Sequence, residues 1–487
     1  MDQSTVLFII AGYFLVLLII SYYTGRGANN KTFFLGNRQS PWYIVAFGMI
    51  SASLSGVTFI SVPGWVMDSQ FSYMQVVLGY LVGYAIIANI LMPMYYRLNL
   101  TSIYTYLNTR FGNHTYKTGS SFFLLSRTIG AAFRLFLVAN VLQISLFNAW
   151  NIPFEVTVVI TILLIWLYTN KGGIKTIIWT DSLQTLFMLL AVGVTVVLIS
   201  KEMNLDFQGL VDTVAQSKHS KIFFLGDYKG EQYFIKQFLS GAFIAVVMTG
   251  LDQDMMQKNL SCRNIKEAKK NMYWFSISLI PVNLLFMSLG ALLIIFAQTK
   301  GIALPEQPDD LFPLIATQGY LSPVVGFFFL IGLVAAAYSS ADSALTSLTT
   351  SFTVDILDAR NMAEKPLRKL RMKVHVGVSA VLAIIIIIFN TVNDESVISA
   401  LFTIAGYTYG PLLGMYSFGL FTRWKVKDKW IPLVAVISPV LCYFLSYFSE
   451  ELFNGYKIGF ELLIINGILT FAGLWLLRKR NEKIEHQ

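Results

Sequence analysis

The chain has 487 residues, 55% hydrophobic and 13% charged, with a mean hydropathy of +0.61 and a formal charge of +9. A soluble domain carries roughly 25% charged residues, so a water-soluble globular protein is excluded and an integral membrane protein is expected. The basic residues fall in alternate loops, which points to membrane orientation and not to a nucleic acid or other acidic partner.

Thirteen apolar runs begin near residues 5, 42, 72, 120, 154, 174, 234, 272, 321, 372, 395, 429 and 458. Each is long enough to cross a hydrocarbon core of about 30 Å, so an all-α chain of about thirteen transmembrane helices is expected. The first run, 5–23, reads as a retained helix. The residues before it carry Asp2 and no Lys or Arg, and no small-x-small cleavage site follows.

The second run is interrupted by Ile50-Ser51-Ala52-Ser53-Leu54-Ser55-Gly56-Val57-Thr58. The seventh is interrupted by Val247-Met248-Thr249-Gly250-Leu251-Asp252-Gln253-Asp254. Five helices separate the two breaks, and an odd offset inverts the second half relative to the first. Inverted halves with broken helices build solute and ion sites at the bilayer midplane. Small residues that merely allow close helix packing account for the glycines and alanines here, but less well for Ser53, Ser55, Thr58 and Asp252.

Two longer loops are expected outside. Residues 201–233 should carry a short helix, and 299–320, with Pro305, Pro308 and Pro313, should cover the outer vestibule. Pro411, in Gly406-Tyr-Thr-Tyr-Gly410-Pro411, should kink the eleventh span. With the N-terminus outside, the inner loops and tail hold about 26 Lys and Arg against about 6 outside. Lys258, Arg263, Lys266, Lys269 and Lys270 are among the inner ones, and the C-terminus is cytoplasmic. Cys262 and Cys442 lie too far apart in this topology for a disulfide. A single transmembrane domain over 1–487 in the plasma (inner) membrane follows, with the bilayer and a small solute as partners and a monomer sufficient.

The ninth run contains Ser339-Ser340-Ala-Asp342-Ser343 at membrane depth. On a helix, Ser339 shares a face with Asp342 and Ser343, so their oxygens converge. Hard oxygens without an adjacent basic residue suit a small cation such as sodium. The plainer alternative is that the serines bond back to carbonyls four residues earlier while Asp342 lines a water pocket. His114, His219, His375 and His486 lie in separate segments and no phosphate-binding glycine loop is present, so no enzyme is expected.

Several of these features resemble the sodium:solute symporter family, the group of the sodium/glucose cotransporters, over nearly the whole chain. They are the Ser51–Thr58 break, Tyr104 with Arg110-Phe-Gly112, and Gly172-Gly173 followed by Trp179-Thr180-Asp181 and Gln184. Gln253-Asp254-x-x-Gln257-Lys258, Glu267-Ala268-Lys269, and Ala336 with Ser339-Ser340 complete the match. The resemblance implies a leucine-transporter-like core of ten helices, five plus five inverted, over 42–421. Its first and sixth core helices are broken, and residues 5–23 and 429–477 supply the additional helices.

It also implies a sodium ion held by backbone carbonyls of Ser51, Leu54 and Ala336 and by the hydroxyls of Ser339 and Ser340. A second sodium is implied among Asp181, Ser339, Asp342 and Ser343. Asp342 departs from family members that have serine there: two carboxylates would strengthen cation binding, or one could carry a proton. Asp181 could instead accept bonds from local backbone or from a loop arginine.

Arg134 lies deep in the fourth span, one or two turns beyond Arg127, where a guanidinium needs a permanent anionic or carbonyl partner. That partner is either a solute carboxylate or a buried acid such as Asp252. The resemblance to sialic-acid-transporting members favours the carboxylate and implies a pocket of Ser53, Ser55, Thr58, Gln75 and Arg134, with Asp252 and Gln253 as further candidates. The expected function is sodium-coupled import of a small organic solute by alternating access, a carboxylate such as a sialic acid. The rivals are a neutral sugar as solute, or a passive channel or sensor of the same fold.

Overall fold

The computed structural model describes residues 3–392 and 397–483. The N-terminal helix Gln3–Gly25 precedes ten helices at the positions of the expected core. The first core helix is in two pieces, Trp42–Leu54 and Gly56–Ser69. The second runs through Tyr73–Ile86, Ile87–Leu91 and Met92–Arg97; the third is Asn113–Ser145, the fourth Phe154–Thr169 and the fifth Ile174–Glu202. The sixth comprises Phe234–Ala245, a wider turn at Val246–Gly250, and Gln253–Leu260. The seventh is Ile265–Lys300, the eighth Pro323–Ser351, the ninth Glu364–Val392 and the tenth Val397–Phe421. Ile431–Tyr447 and Leu462–Leu476 close the chain.

Among the described residues, eight helices are long and apolar enough to span a membrane, and two bent pairs bring the number to ten. Phe154–Thr169 and Leu462–Leu476 are shorter apolar helices. One departure from an all-helical chain is a two-stranded antiparallel ribbon, Trp424–Val426 with Arg478–Lys483. Both segments leave the same end of the bundle, and their free backbone groups pair there.

The two bent helices have local causes. The first core helix turns by 55° where Ser55 leaves helical geometry (φ 18°, ψ 169°). The sixth turns by 66° at Leu251–Asp252, where Asp252 is extended. The Asp252 carboxylate then accepts from the amides of Asp254 (2.8 Å) and Met255 (3.4 Å), restarting the helix as an N-cap. Small residues let these elements approach. A β-carbon on Gly79 or Gly83 would strike backbone of the sixth core helix at Phe238 or Ala242, and one on Gly56 would lie 2.9 Å from the Ala337 Cβ of the eighth.

The two longer loops follow the sequence expectation in part. Phe207–Ala215 is the short helix of 201–233. In 299–320, Pro308–Asp310 and Leu311–Thr317 pack on Gly56–Ser69, the second piece of the first core helix, with the Pro308 carbonyl against Gly64. The tenth core helix continues through Pro411 as one helix. Proline leaves the Tyr407 carbonyl without its helical donor. The Asn466 amide of the last helix supplies one, at 3.0 Å from the carbonyls of Tyr407 and Gly406. Both cysteines are free and buried.

Candidate solute and sodium sites

The two breaks differ in how their backbone oxygens are satisfied. In the sixth core helix the Tyr95 hydroxyl donates to the Gly250 carbonyl (2.8 Å) and the Tyr104 hydroxyl to the Leu251 carbonyl (2.9 Å). In the first, no side chain donates to the carbonyls of Ser51 to Leu54 among the described residues. One break is closed by side-chain donors from other segments; the other has none among the described residues.

The eighth core helix faces that open break. The Ser51 hydroxyl lies 2.9 Å from the Ser339 hydroxyl and bonds the carbonyls of Gly48 (3.0 Å) and Asp181 (3.1 Å). Ser340 is fully buried and its hydroxyl has no hydrogen-bond partner. Ala336 lies one turn before it, next to Ala337, which meets Gly56. Ser51, Leu54, Ala336, Ser339 and Ser340, named from the sequence as the first sodium set, thus lie on two segments in direct contact. A buried hydroxyl without a partner is costly, unless a ligand takes its oxygen.

The second named set also gathers, with an addition. Ser339 donates to Asp181 Oδ1 (2.7 Å), while Asp181 Oδ2 forms a 2.7 Å ion pair with Lys258. Asp342 accepts from the Tyr168 hydroxyl (2.9 Å) and from Ser343 (3.3 Å). Lys258 corrects the sequence reading, which counted it among cytoplasmic-loop lysines. It sits inside Gln253–Leu260 with a side chain 1% exposed. Its motif, Gln253-Asp254-x-x-Gln257-Lys258, carried the signal, because all these positions lie within two turns of one short helix. Charge counting by loop missed it.

Above the first set lies a cavity lined by Ser53, Leu54, Ser55 and Thr58 of the broken helix and by Tyr73, Tyr80 and Tyr84 of the second. Arg127, Arg134, Met248 and Thr249 complete the wall. Arg127 forms an ion pair with Asp254. Arg134 is 8% exposed, and its Nε and Nη1 have no hydrogen-bond partner. Asp252 is engaged elsewhere, accepting from the Tyr409 hydroxyl and the helix amides. The two arginines therefore divide: one is neutralised within the protein and the other presents donors to the cavity.

Three residues named as pocket candidates do not line this cavity. Gln75 binds the 201–233 loop, donating to the Gln232 carbonyl (3.0 Å) and accepting from the Phe224 amide (3.1 Å). Gln253 binds the Thr101 carbonyl and the Ile103 amide, both at 2.9 Å. Asp252 caps its helix. The tyrosines, by contrast, were missed: Tyr73 and Tyr80 pair their hydroxyls at 3.2 Å. Their spacing of seven, with Tyr84 four further on, places them on one helical face and would have identified them.

A core of ten helices, two of them broken, with an oxygen set on the first and eighth, defines a secondary transporter of the leucine-transporter-like fold. The sodium:solute symporter family model matches residues 33–427, and the chain belongs to that family. It is 26% identical to the sodium/sialic acid symporter NanT of Aliivibrio fischeri over 93% of this chain and 90% of that protein. It is 24% identical to the sodium/sialic acid symporter SiaT of Proteus mirabilis, over 95% and 94%. A sodium-coupled sialic acid symporter solved in a substrate-bound outward-open state superposes with a TM-score of 0.81 at 20% identity, covering 97% of this chain and 98% of that one. The protein is a multi-pass, sodium-coupled symporter of a small solute.

Proposed function

We propose that the solute is a small polyhydroxylated carboxylate of the sialic acid class, carried inward with sodium. The observation that carries this is Arg134, whose free guanidinium donors face a cavity of hydroxyls. A guanidinium stays charged and matches a carboxylate with two parallel bonds. Ser53, Ser55, Thr58 and the three tyrosines suit the solute's hydroxyls. The similarity to the two sialic acid symporters supports the same class.

Sodium takes the carbonyls of Ser51, Leu54 and Ala336 with the hydroxyls of Ser339 and Ser340, and Asp181, Asp342 and Ser343 form a second cation position. Sodium binding orders the open break, whose next residues, Ser53 and Ser55, line the solute cavity. Coupling is then differential binding between outward and inward states. The N-terminus lies outside and the basic tail inside, so inward sodium movement follows the membrane potential, worth roughly 2.3 kcal/mol per charge per 100 mV.

Uptake of radiolabelled sialic acid into proteoliposomes under an inward sodium gradient tests this. Accumulation above the external concentration is expected. Mere equilibration would indicate a passive channel, and no uptake would refute the solute. Arg134→Ala should abolish uptake while sodium binding persists. Arg134→Lys should restore little, since an ammonium lacks the paired donors.

A further inference from the structure

Lys258 is not used by the transport reading above. It lies on Gln253–Leu260, beyond the 66° bend from the rest of the sixth core helix, while its partner Asp181 belongs to the fifth. Asp181 in turn holds Ser339, and Ser339 touches Ser51. The ammonium and the first sodium set thus address one carboxylate from opposite sides, through a single hydroxyl. Both partners of the pair are 1% exposed.

An ammonium has three donors. Beyond Asp181, those of Lys258 meet no acceptor among the described residues. An ion pair built only for stability satisfies its remaining hydrogens, because each one left bare in a buried site is costly. Sodium and a lysine ammonium are both monovalent cations that seek carboxylate oxygen. Two of them beside one carboxylate repel strongly in a dry site.

We infer that Lys258 is a tethered cation that competes with sodium for the Asp181 carboxylate, tying sodium occupancy to the position of Gln253–Leu260. This rests on the sodium symport reading and adds an exchange step. When Gln253–Leu260 sits against the fifth core helix, the ammonium occupies Asp181 Oδ2 and weakens sodium. When it withdraws, that oxygen becomes available to the ion. Asp342, which accepts from Tyr168 and Ser343, lies in the same region.

The test is equilibrium binding of radioactive sodium to purified full-length protein. Lys258→Gln should tighten sodium affinity by about tenfold or more, the equivalent of roughly 1.4 kcal/mol. In the double variant Asp181→Asn/Lys258→Gln, which removes both charges, the gain should vanish. Lys258→Arg keeps the charge and grips the carboxylate with two bonds, so sodium should bind more weakly than in the unmodified protein. This variant decides the matter if Lys258→Gln does not fold. Unchanged sodium affinity in Lys258→Gln or Lys258→Arg overturns the inference, as does a gain that survives in the double variant. No sodium binding by the unmodified protein would overturn the symport reading itself, and this inference with it.

Discussion

At the scale of single residues, the decisive contrast is between charged groups that find partners and those that do not. Arg127 and Arg134 lie seven residues apart on one helix, and the sequence left open which of them meets a buried acid. Asp254 takes Arg127, so Arg134 faces the cavity with unmatched donors. Ser340 is the corresponding acceptor, a buried hydroxyl without a partner. Ser340→Ala should raise the sodium concentration for half-maximal uptake by about tenfold, roughly 1.4 kcal/mol of lost ligation. Sodium titration of transport checks this, and because the hydroxyl has no partner among the described residues, thermal stability without sodium should stay within about 0.5 kcal/mol. The hydroxyls of the broken helix were legible in the sequence because polar atoms at membrane depth need a reason. Gln75 and Gln253 satisfied the same criterion and serve loop backbone instead. Residue type shows that a polar group is needed, but only the fold shows which neighbour needs it.

At the scale of elements, two interruptions of helices are matched by donors from elsewhere. Tyr95 and Tyr104 close the sixth break, and Asn466 replaces the donor that Pro411 lacks. Asn466→Leu should leave the Tyr407 carbonyl without a donor and cost about 1–3 kcal/mol, read as a fall in melting temperature of the detergent-solubilised protein. The expected kink was therefore half right as physics: proline removed a bond, and a side chain 55 residues later restored it. Sequence spacing located both breaks, because small and polar residues cluster at each. It gave no sign that one is stitched and the other open, since the stitching tyrosines come from other segments. The fifth core helix likewise carries Asp181 in a recognisable run, whereas its partner Lys258 reads on paper as one more basic residue near a loop.

At the scale of the whole molecule, hydropathy located the long apolar helices, of which eight, or ten with the bent pairs, are of membrane-spanning length among the described residues, and the offset of five between the breaks anticipated the inverted halves. Long apolar runs leave few other solutions in a bilayer, where backbone groups must be satisfied within each span. The ribbon joining Trp424–Val426 to Arg478–Lys483 was not legible, being short and set by where two helix ends emerge. Near the Gln253–Leu260 end of the sixth core helix, the end proposed to face inward, Cys262 offers a reporter for large-scale motion. Burial, with a smaller contribution from Glu267, pushes its thiol up to about 12, so little thiolate forms at neutral pH. Maleimide labelling at Cys262 should be slow with sodium present and accelerate when sodium is withdrawn and the inner end opens. Equal rates in both conditions would place the moving surface elsewhere.

The unequal treatment of the two breaks bears on energy conversion. A carrier wastes its gradient when solute slips through without its ion, and slippage requires a joint that flexes unprompted. Tyr95 and Tyr104 tie the carbonyls of one elbow, whereas the elbow beside Ser51, where the ion is proposed to sit, has no such side-chain ties among the described residues. Removing those two phenol groups would give the machine a second loose elbow, turning a tightly geared pump into a leaky one while its ion pocket stayed intact.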